Sequence, residues 1–100
     1  MTNEDKKLIA DYMGWFTHPQ GFWYDAPVYF AAGVHGNIAF DLNDAAICVQ
    51  EMQKRGDWQD FVQITSKIHK LGFHSEVIAW LFNAENFFNA MSEWLKERKK

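Results

Sequence analysis

Two consecutive segments of the chain repeat one pattern, and this pattern constrains the fold more than any other feature. Each segment begins with an Asp, continues with apolar residues at helical spacing, and closes with basic residues and a Gly. The first runs from Asp41 to Gly56 and the second from Asp57 to Gly72. Asp is a good N-cap, Lys and Arg suit the negative end of the helix dipole, and Gly favours the left-handed conformation that ends helices. The pattern therefore predicts two consecutive helices.

Helices are also predicted near both ends of the chain. Residues 4–13 place four apolar side chains on one face, with Asn3 as the N-cap and Gly14 as the left-handed residue after the helix. After Asn83, apolar residues recur at helical spacing and basic residues follow. With the two central segments, this predicts about four helices.

The segment between the first two helices favours strands instead. Residues 15–40 are rich in β-formers and turn residues, so short strands are predicted around a turn at Asp25–Pro27 and near Ile38–Phe40. The segment Phe73–Phe82 is ambiguous, and its apolar residues on both faces suit a central strand covered by helices. We therefore expect a single α+β domain over residues 1–100, with about four helices packed in layers on a small, mainly antiparallel sheet.

Composition and charge restrict the class of function. Hydrophobic residues make up 48% of the chain and aromatic residues 17%, which is enough to build a core. The net charge of -3 argues against a dedicated nucleic-acid-binding protein. No apolar run is long enough to span a bilayer, and the polar residues Thr2–Asp5 do not resemble a secretory signal. We therefore expect a cytoplasmic protein without a nucleic-acid or membrane partner.

Histidine and cysteine residues do not form a recognisable metal or catalytic motif. The chain has four histidines, His18, His35, His69 and His74. No two of them have the i, i+4 spacing on one helix that would direct them at a shared metal ion. Cys48 lies among apolar residues, where a thiol is usually inert. We expect no metal site and no cofactor, while a pairing of Cys48 with His35 or His69 stays open.

Two pairs of carboxylates are the remaining candidates for catalysis. Asp41 and Asp44, like Asp57 and Asp60, lie three residues apart at a predicted helix start. Capping and interaction with the helix dipole account for this spacing without acid–base chemistry. We therefore expect the protein not to be an enzyme.

An aromatic cluster is the main candidate for a binding surface. Phe22, Trp23 and Tyr24 are consecutive, Asp25 follows them, and Tyr29 lies in the same segment. Stacked aromatic side chains bind flat ligands, nucleobases or protein partners. A small domain also needs large side chains for its core, so both roles stay open for the cluster.

The charges are distributed unevenly along the chain. No Lys or Arg occurs between positions 8 and 53, and five carboxylates fall there: Asp11, Asp25, Asp41, Asp44 and Glu51. An acidic region with exposed aromatic side chains would suit a positively charged partner surface. An ordinary solvated face explains the same distribution.

Four short motifs resemble those of a known group of small bacteriophage and prophage proteins, the phage ABA-sandwich group. They are, in order, Leu8–Trp15, Phe40–Ala45, Asp57–Phe73 and Phe87–Trp94. The motifs cover about half of the chain, and residues 16–37 have no counterpart in them. The resemblance implies a layered fold of helices and strands, no established activity and no catalytic residues.

These observations together lead to one expected function and one alternative. We expect a non-catalytic phage or prophage accessory protein that binds a host or phage protein in the host cytoplasm. An inhibitor of a host defence or nucleic-acid-binding protein is one such function. The predicted binding surface comprises Phe22, Trp23, Tyr24, Asp25 and Tyr29. The alternative is a protein that sequesters a small, nucleotide-like ligand, and apolar surface left over after folding would also allow a homodimer.

Overall fold

A computed structural model describes residues 1–17, 23–24 and 37–99, and most of this part is helical. The helices are α1 (Asn3–Met13), α2 (Leu42–Arg55), α3 (Trp58–His69), α4 (His74–Leu81) and α5 (Ala84–Arg98). The strands of the described part are β1 (Phe16–Thr17), β2 (Trp23–Tyr24) and β3 (Asn37–Ile38). Each strand has two residues, and they pair antiparallel in the order β1-β2-β3.

The predicted α+β architecture is wrong, because the described helices pack on one another and not on a sheet. Helix α5 packs against α1, α2, α3 and α4, and α3 also packs against α2 and α4. Strands of globular proteins usually have about five residues, so these two-residue pairs form no layer that helices could cover. Among the described strand residues, Ile38 joins the buried core. The fold class is therefore a helical bundle.

Helix α5 lies at the centre of the bundle because it buries an unusually wide face. Its buried residues are Phe87, Phe88, Ala90, Met91, Ser92, Trp94 and Leu95. A helix with a single narrow apolar stripe packs against one layer, whereas a wide buried face contacts several neighbours. This explains why α5 contacts all four of the other described helices.

Aromatic rings form the interior of the bundle. Trp94 makes edge-to-face contacts with Tyr12 of α1 and Phe61 of α3, with ring centroids 5.4 and 5.5 Å apart. Phe61 also meets Phe87, and Phe87 meets Phe88, at 5.5 and 5.2 Å. Such geometry matches the positive edge of one ring to the negative face of the next. The rings thus connect α1, α3 and α5.

The segment Phe73–Phe82 forms helix α4, so a strand is the wrong assignment for it. The helix buries Val77 and Leu81, which lie four residues apart on one face, and leaves Ile78 37% exposed. Phe73 and Phe82, which flank it, are 73% and 78% exposed. The apolar residues on both faces suggested a strand covered on both sides, but only one face of this helix is covered.

Two glycines end helices as predicted, and a third does not. Gly14 and Gly56 both adopt φ of 77°, which suits a residue without a side chain. After Gly14, the Trp15 N–H donates to the Ala10 carbonyl and the Trp15 side chain is buried. Helix α3, in contrast, ends at Lys70 with φ of 55° and not at Gly72.

Helix starts agree with the sequence at two of four positions. Asp41 and Asn83 each accept the N–H of the residue three positions further on, as N-caps do. The first helix is capped by Thr2 and not by Asn3. Asp57 stands before α3 but makes no side-chain capping bond, because its carboxylate binds elsewhere.

Phe61→Ala is expected to lower the free energy of unfolding by about 3–5 kcal/mol, because the removed ring is fully buried. Phe73→Ala is the matched control, since it deletes the same side chain from an exposed position and should cost less than about 0.5 kcal/mol. Urea unfolding followed by tryptophan fluorescence measures both values. Equal losses in the two variants would contradict a core organised around Phe61.

Candidate functional site

The predicted aromatic surface is only partly within the described residues. Phe22, Asp25 and Tyr29 lie outside them. The backbone of Trp23 and Tyr24 forms β2, which pairs with β1 and β3. The role of the five residues as one binding surface therefore stays a prediction.

A different surface, an apolar groove between α2 and α4, is the best-formed candidate site in the described part of the chain. It has a volume of about 400 Å³. Its lining residues are Leu42, Ala45, Ala46, Val49, Gln50, Trp58, Ile78, Leu81, Phe82 and Phe87. Only Gln50 among them has a polar side-chain amide, so the groove offers its ligand mainly apolar contacts. We call this surface the α2–α4 groove.

The packing of the helices explains why the groove is open. Helices α2 and α4 each pack against α3 and α5, but they do not pack closely against each other. The space between them is therefore bounded by two helices and closed below by the buried Phe87 of α5. Trp58, from the first turn of α3, completes the lining.

Apolar side chains at the rim of the groove remain in contact with solvent. Leu42 is 42% exposed, Ile78 37% and Phe82 78%. Single exposed apolar residues are common on proteins, but several that converge on one groove make it a candidate binding surface. The rim residues are therefore the part of the site that a partner would cover.

The sequence contained a signal for this groove, because the apolar residues at helical spacing do not all face the core. Leu42 and Met52 both belong to that pattern in the segment Asp41–Gly56, but Met52 is fully buried while Leu42 is 42% exposed. Ile78 was assigned to a strand that would be covered on both sides. Both α2 and α4 carry more apolar residues than one buried face requires, and this surplus is what lines the groove.

The carboxylates at the start of α3 join helices together and do not cap one. Tyr12 donates its hydroxyl proton to Asp57 Oδ2 at 2.8 Å, and Arg98 Nη1 lies 3.3 Å from the same oxygen. Asp60 accepts a hydrogen bond from Trp94 Nε1 at 2.9 Å. These bonds connect α3 to α1 and α5, so both carboxylates take part in the tertiary structure.

Tyr12 is the group most affected by this arrangement. Burial, reinforced by the hydrogen bond to Asp57 and its negative charge, raises the pKa of the Tyr12 phenol to about 12. The Arg55 guanidinium lies 4.2 Å from the centre of the same ring. The phenol is therefore neutral at physiological pH and acts as a hydrogen-bond donor.

The remaining candidate groups are also part of the packed structure. Cys48 is fully buried, and burial raises the pKa of its thiol far above the ordinary value. Asp44 accepts N–H groups from Ala39 and Asp41, yet desolvation still raises the pKa of its carboxyl group. His69 lies 3.1 Å from a Glu93 carboxylate oxygen, and its ring centre is 4.3 Å from that of Trp80. The geometry therefore indicates structural roles for these groups.

Neither a metal-binding cluster nor a transmembrane helix is found in residues 1–17, 23–24 and 37–99. No three His, Cys, Asp or Glu side chains converge there in a way that would hold a metal ion. The helices of this part are also too short or too polar to cross a bilayer.

Comparison with known proteins gives no family assignment. No protein-family profile matches the chain, and neither curated proteins nor solved structures give a match. The layered fold implied by the resemblance to the phage group is contradicted by the helical bundle. The link to phage proteins itself stays a prediction.

Tyr12→Phe is expected to lower the free energy of unfolding by about 1–2 kcal/mol at pH 8, because Asp57 loses a hydroxyl donor. The phenol pKa is higher in the folded state than its ordinary value of 10.0, so the unfolded state releases the proton first as the pH rises. The stabilisation is complete below pH 10 and is lost between pH 10 and 12. The difference between wild type and Tyr12→Phe should therefore shrink over this range.

Urea unfolding at pH 8 and at about pH 11.5 measures this difference. Other tyrosines and lysines titrate in both proteins, so their effects cancel in the comparison. A difference that is the same at both pH values would contradict the proposed Tyr12–Asp57 interaction.

Proposed function

We propose that this chain is a non-catalytic protein-binding domain, and that the α2–α4 groove accepts apolar side chains of its partner. One observation carries the proposal: the groove is open and apolar, and three apolar side chains are exposed at its rim. The interior of the described part, in contrast, buries Phe61, Phe87, Phe88 and Trp94 almost completely. Phe82, beside the groove, is 78% exposed, and a partner in the groove would cover it.

The energetics of apolar burial support this proposal. Covering a large apolar side chain contributes about 1.5–3 kcal/mol when the whole side chain leaves water. Phe82 is the most exposed rim residue and has the most to gain, while Leu42 and Ile78 are already partly covered. We expect Phe82 to contribute more burial to the interface than the other two rim residues.

The state of the reactive groups also supports a binding role. In the described part of the chain, the Cys48 thiol is buried and the carboxylates of Asp57 and Asp60 hold Tyr12 and Trp94. None of these groups lines the α2–α4 groove. A partner in this groove would therefore meet apolar surface and no nucleophile.

A small apolar molecule is the second candidate occupant. The groove volume of about 400 Å³ falls within the range of about 300–1,000 Å³ that is usual for small-molecule sites. The described lining residues include no Lys or Arg, so the groove does not favour the phosphate of a nucleotide-like ligand. The identity of the partner as a host or phage protein rests on sequence resemblance alone, and the groove proposal does not depend on it.

Two isoleucine variants test the proposal. Ile78 lines the groove and is 37% exposed, whereas Ile68 of α3 is 40% exposed and does not line it. Ile78→Asp and Ile68→Asp therefore make the same chemical change at equally exposed positions. We expect proteins that purify with the wild type from its native cells to be retained by Ile68→Asp and reduced at least about tenfold by Ile78→Asp.

Quantitative mass spectrometry of the three purifications measures these amounts, and urea unfolding shows whether the variants are equally stable. Recovery of the same proteins in the same amounts with all three baits would contradict protein binding at the groove. A small molecule that is seen by native mass spectrometry on the wild type, and is lost with Ile78→Asp, would favour the second candidate.

A further inference from the structure

We infer that the partner segment is a short amphipathic helix with basic residues beside its apolar face. This inference deepens the proposed function and rests on it. It is based on the shape of the α2–α4 groove, on the hydrogen bonding of the backbone along its walls, and on the charges of the helices that form it.

The walls of the groove suit a helix in shape and length. The α2 wall runs from Leu42 to Gln50 with residues at i, i+3, i+4, i+7 and i+8, and the α4 wall contains Ile78, Leu81 and Phe82 at i, i+3 and i+4. Each of these segments rises about 12 Å or less along its helix axis. Side-chain rows of this kind receive the rows of a third helix. The groove therefore matches about two turns of a partner helix, with apolar residues at i, i+4 and i+7.

An extended peptide would fit the same walls poorly. Extended segments usually bind by pairing their backbone with a free sheet edge. Both walls of the groove are helices, whose backbone N–H and C=O groups already bond within each helix. A helical partner forms its own backbone hydrogen bonds before it binds. It therefore leaves no backbone group unpaired against walls that offer only side chains.

The charges of the surrounding helices favour a basic partner. Helix α2 has no Lys or Arg before Lys54, α4 has none, and α5 has none before Lys96. Asp41 directly precedes the lining residue Leu42, and Glu85 lies two residues before the lining residue Phe87. Both carboxylates are exposed, and among the described cations none forms an ion pair with them. Lys or Arg beside the apolar face of the partner would complement this surface, and acidic residues would be repelled.

A second copy of the chain matches this description poorly. Among the described helices, Lys or Arg occurs in four, α1, α2, α3 and α5. Outside the groove, α2 and α3 each expose one large apolar side chain, Ile47 and Ile68, and a single side chain does not supply a row at i, i+4 and i+7. The other two cation-bearing helices are α1 and α5. Their apolar faces are already buried, with Ile9 and Tyr12 of α1 and Trp94 and Leu95 of α5 in the core. Neither helix has a free apolar face to place in the groove of another copy. The inferred occupant is therefore a helix of a different protein.

A displayed peptide library tests the inference. The probe is a yeast-displayed set of helix-forming peptides of about 16 residues, roughly four turns, with randomised positions. Selection uses the wild-type protein, with removal of all sequences that also bind Ile78→Asp. We expect enrichment of apolar residues at i, i+4 and i+7, together with Lys or Arg beside them.

Each other result has a definite meaning. Helical sequences with neutral or acidic flanks would overturn the charge inference and leave groove binding intact. Enriched sequences without helical periodicity would overturn the inference that the partner segment is a helix. Failure to enrich any sequence that distinguishes wild type from Ile78→Asp would overturn the proposed function itself. A concentration-dependent dimer in light scattering, lost in Ile78→Asp, would show that the occupant of the groove is a second copy of the chain and would overturn the inferred partner.

Neutralising variants test the charge inference with one enriched peptide. Asp41→Asn with Glu85→Gln removes both carboxylates and keeps a good capping residue at position 41. We expect this double variant to bind the peptide about tenfold more weakly at low salt, with the difference mostly lost near 0.5 M salt.

The control is Glu4→Gln with Asp11→Asn, which removes two exposed charges from α1. It should leave peptide affinity within about twofold of the wild type, because these residues do not line the groove. Fluorescence anisotropy measures all three affinities. Equal affinity of the wild type and the Asp41→Asn/Glu85→Gln variant would overturn the role of the acidic residues.

Discussion

The packing of Trp94 determines how the helices of this protein are arranged. Its ring lies between Tyr12 of α1 and Phe61 of α3, and its indole N–H donates to Asp60. The Trp94 side chain of α5 thus packs against rings of α1 and α3, and it also donates a hydrogen bond to α3. The hydrogen bond from Tyr12 to Asp57 connects α1 to the start of α3 nearby. Because both interactions involve α3, they place its first turn firmly against α1 and α5.

The α2–α4 groove follows from the way the helices pack around Trp94. Helices α2 and α4 are attached to the bundle through α3 and α5, which leaves each with one uncovered side. Both helices are apolar on more than their buried face, so the uncovered sides expose Leu42 and Ile78. A partner helix is the cover that we propose for the groove.

Much of the local structure could be predicted from the sequence, and the failures share a physical cause. Helix α2 begins after Asp41 and ends before Gly56, as expected, because N-caps and left-handed glycines act within a few residues of the chain. The segment Phe73–Phe82 is ambiguous in sequence and suits a covered strand, because its apolar residues do not show which of them will be buried. Asp57 was expected to cap α3, but its carboxylate binds Tyr12 and Arg98, which are distant in sequence. The predicted surface of Phe22, Trp23, Tyr24, Asp25 and Tyr29 stays a prediction, whereas the groove depends on which helix faces meet.

The sequence by itself determined both ends of α2, the end of α1, the start of α5 and the apolar surroundings of Cys48. These properties depend on local backbone preferences and on the cost of leaving apolar side chains in water. Only the tertiary structure decided that the helices pack on one another, that Asp57 and Asp60 hold aromatic side chains, and that the surplus apolar residues of α2 and α4 form one groove. Such outcomes depend on contacts between residues far apart in the chain, and no local pattern records which of those contacts will form.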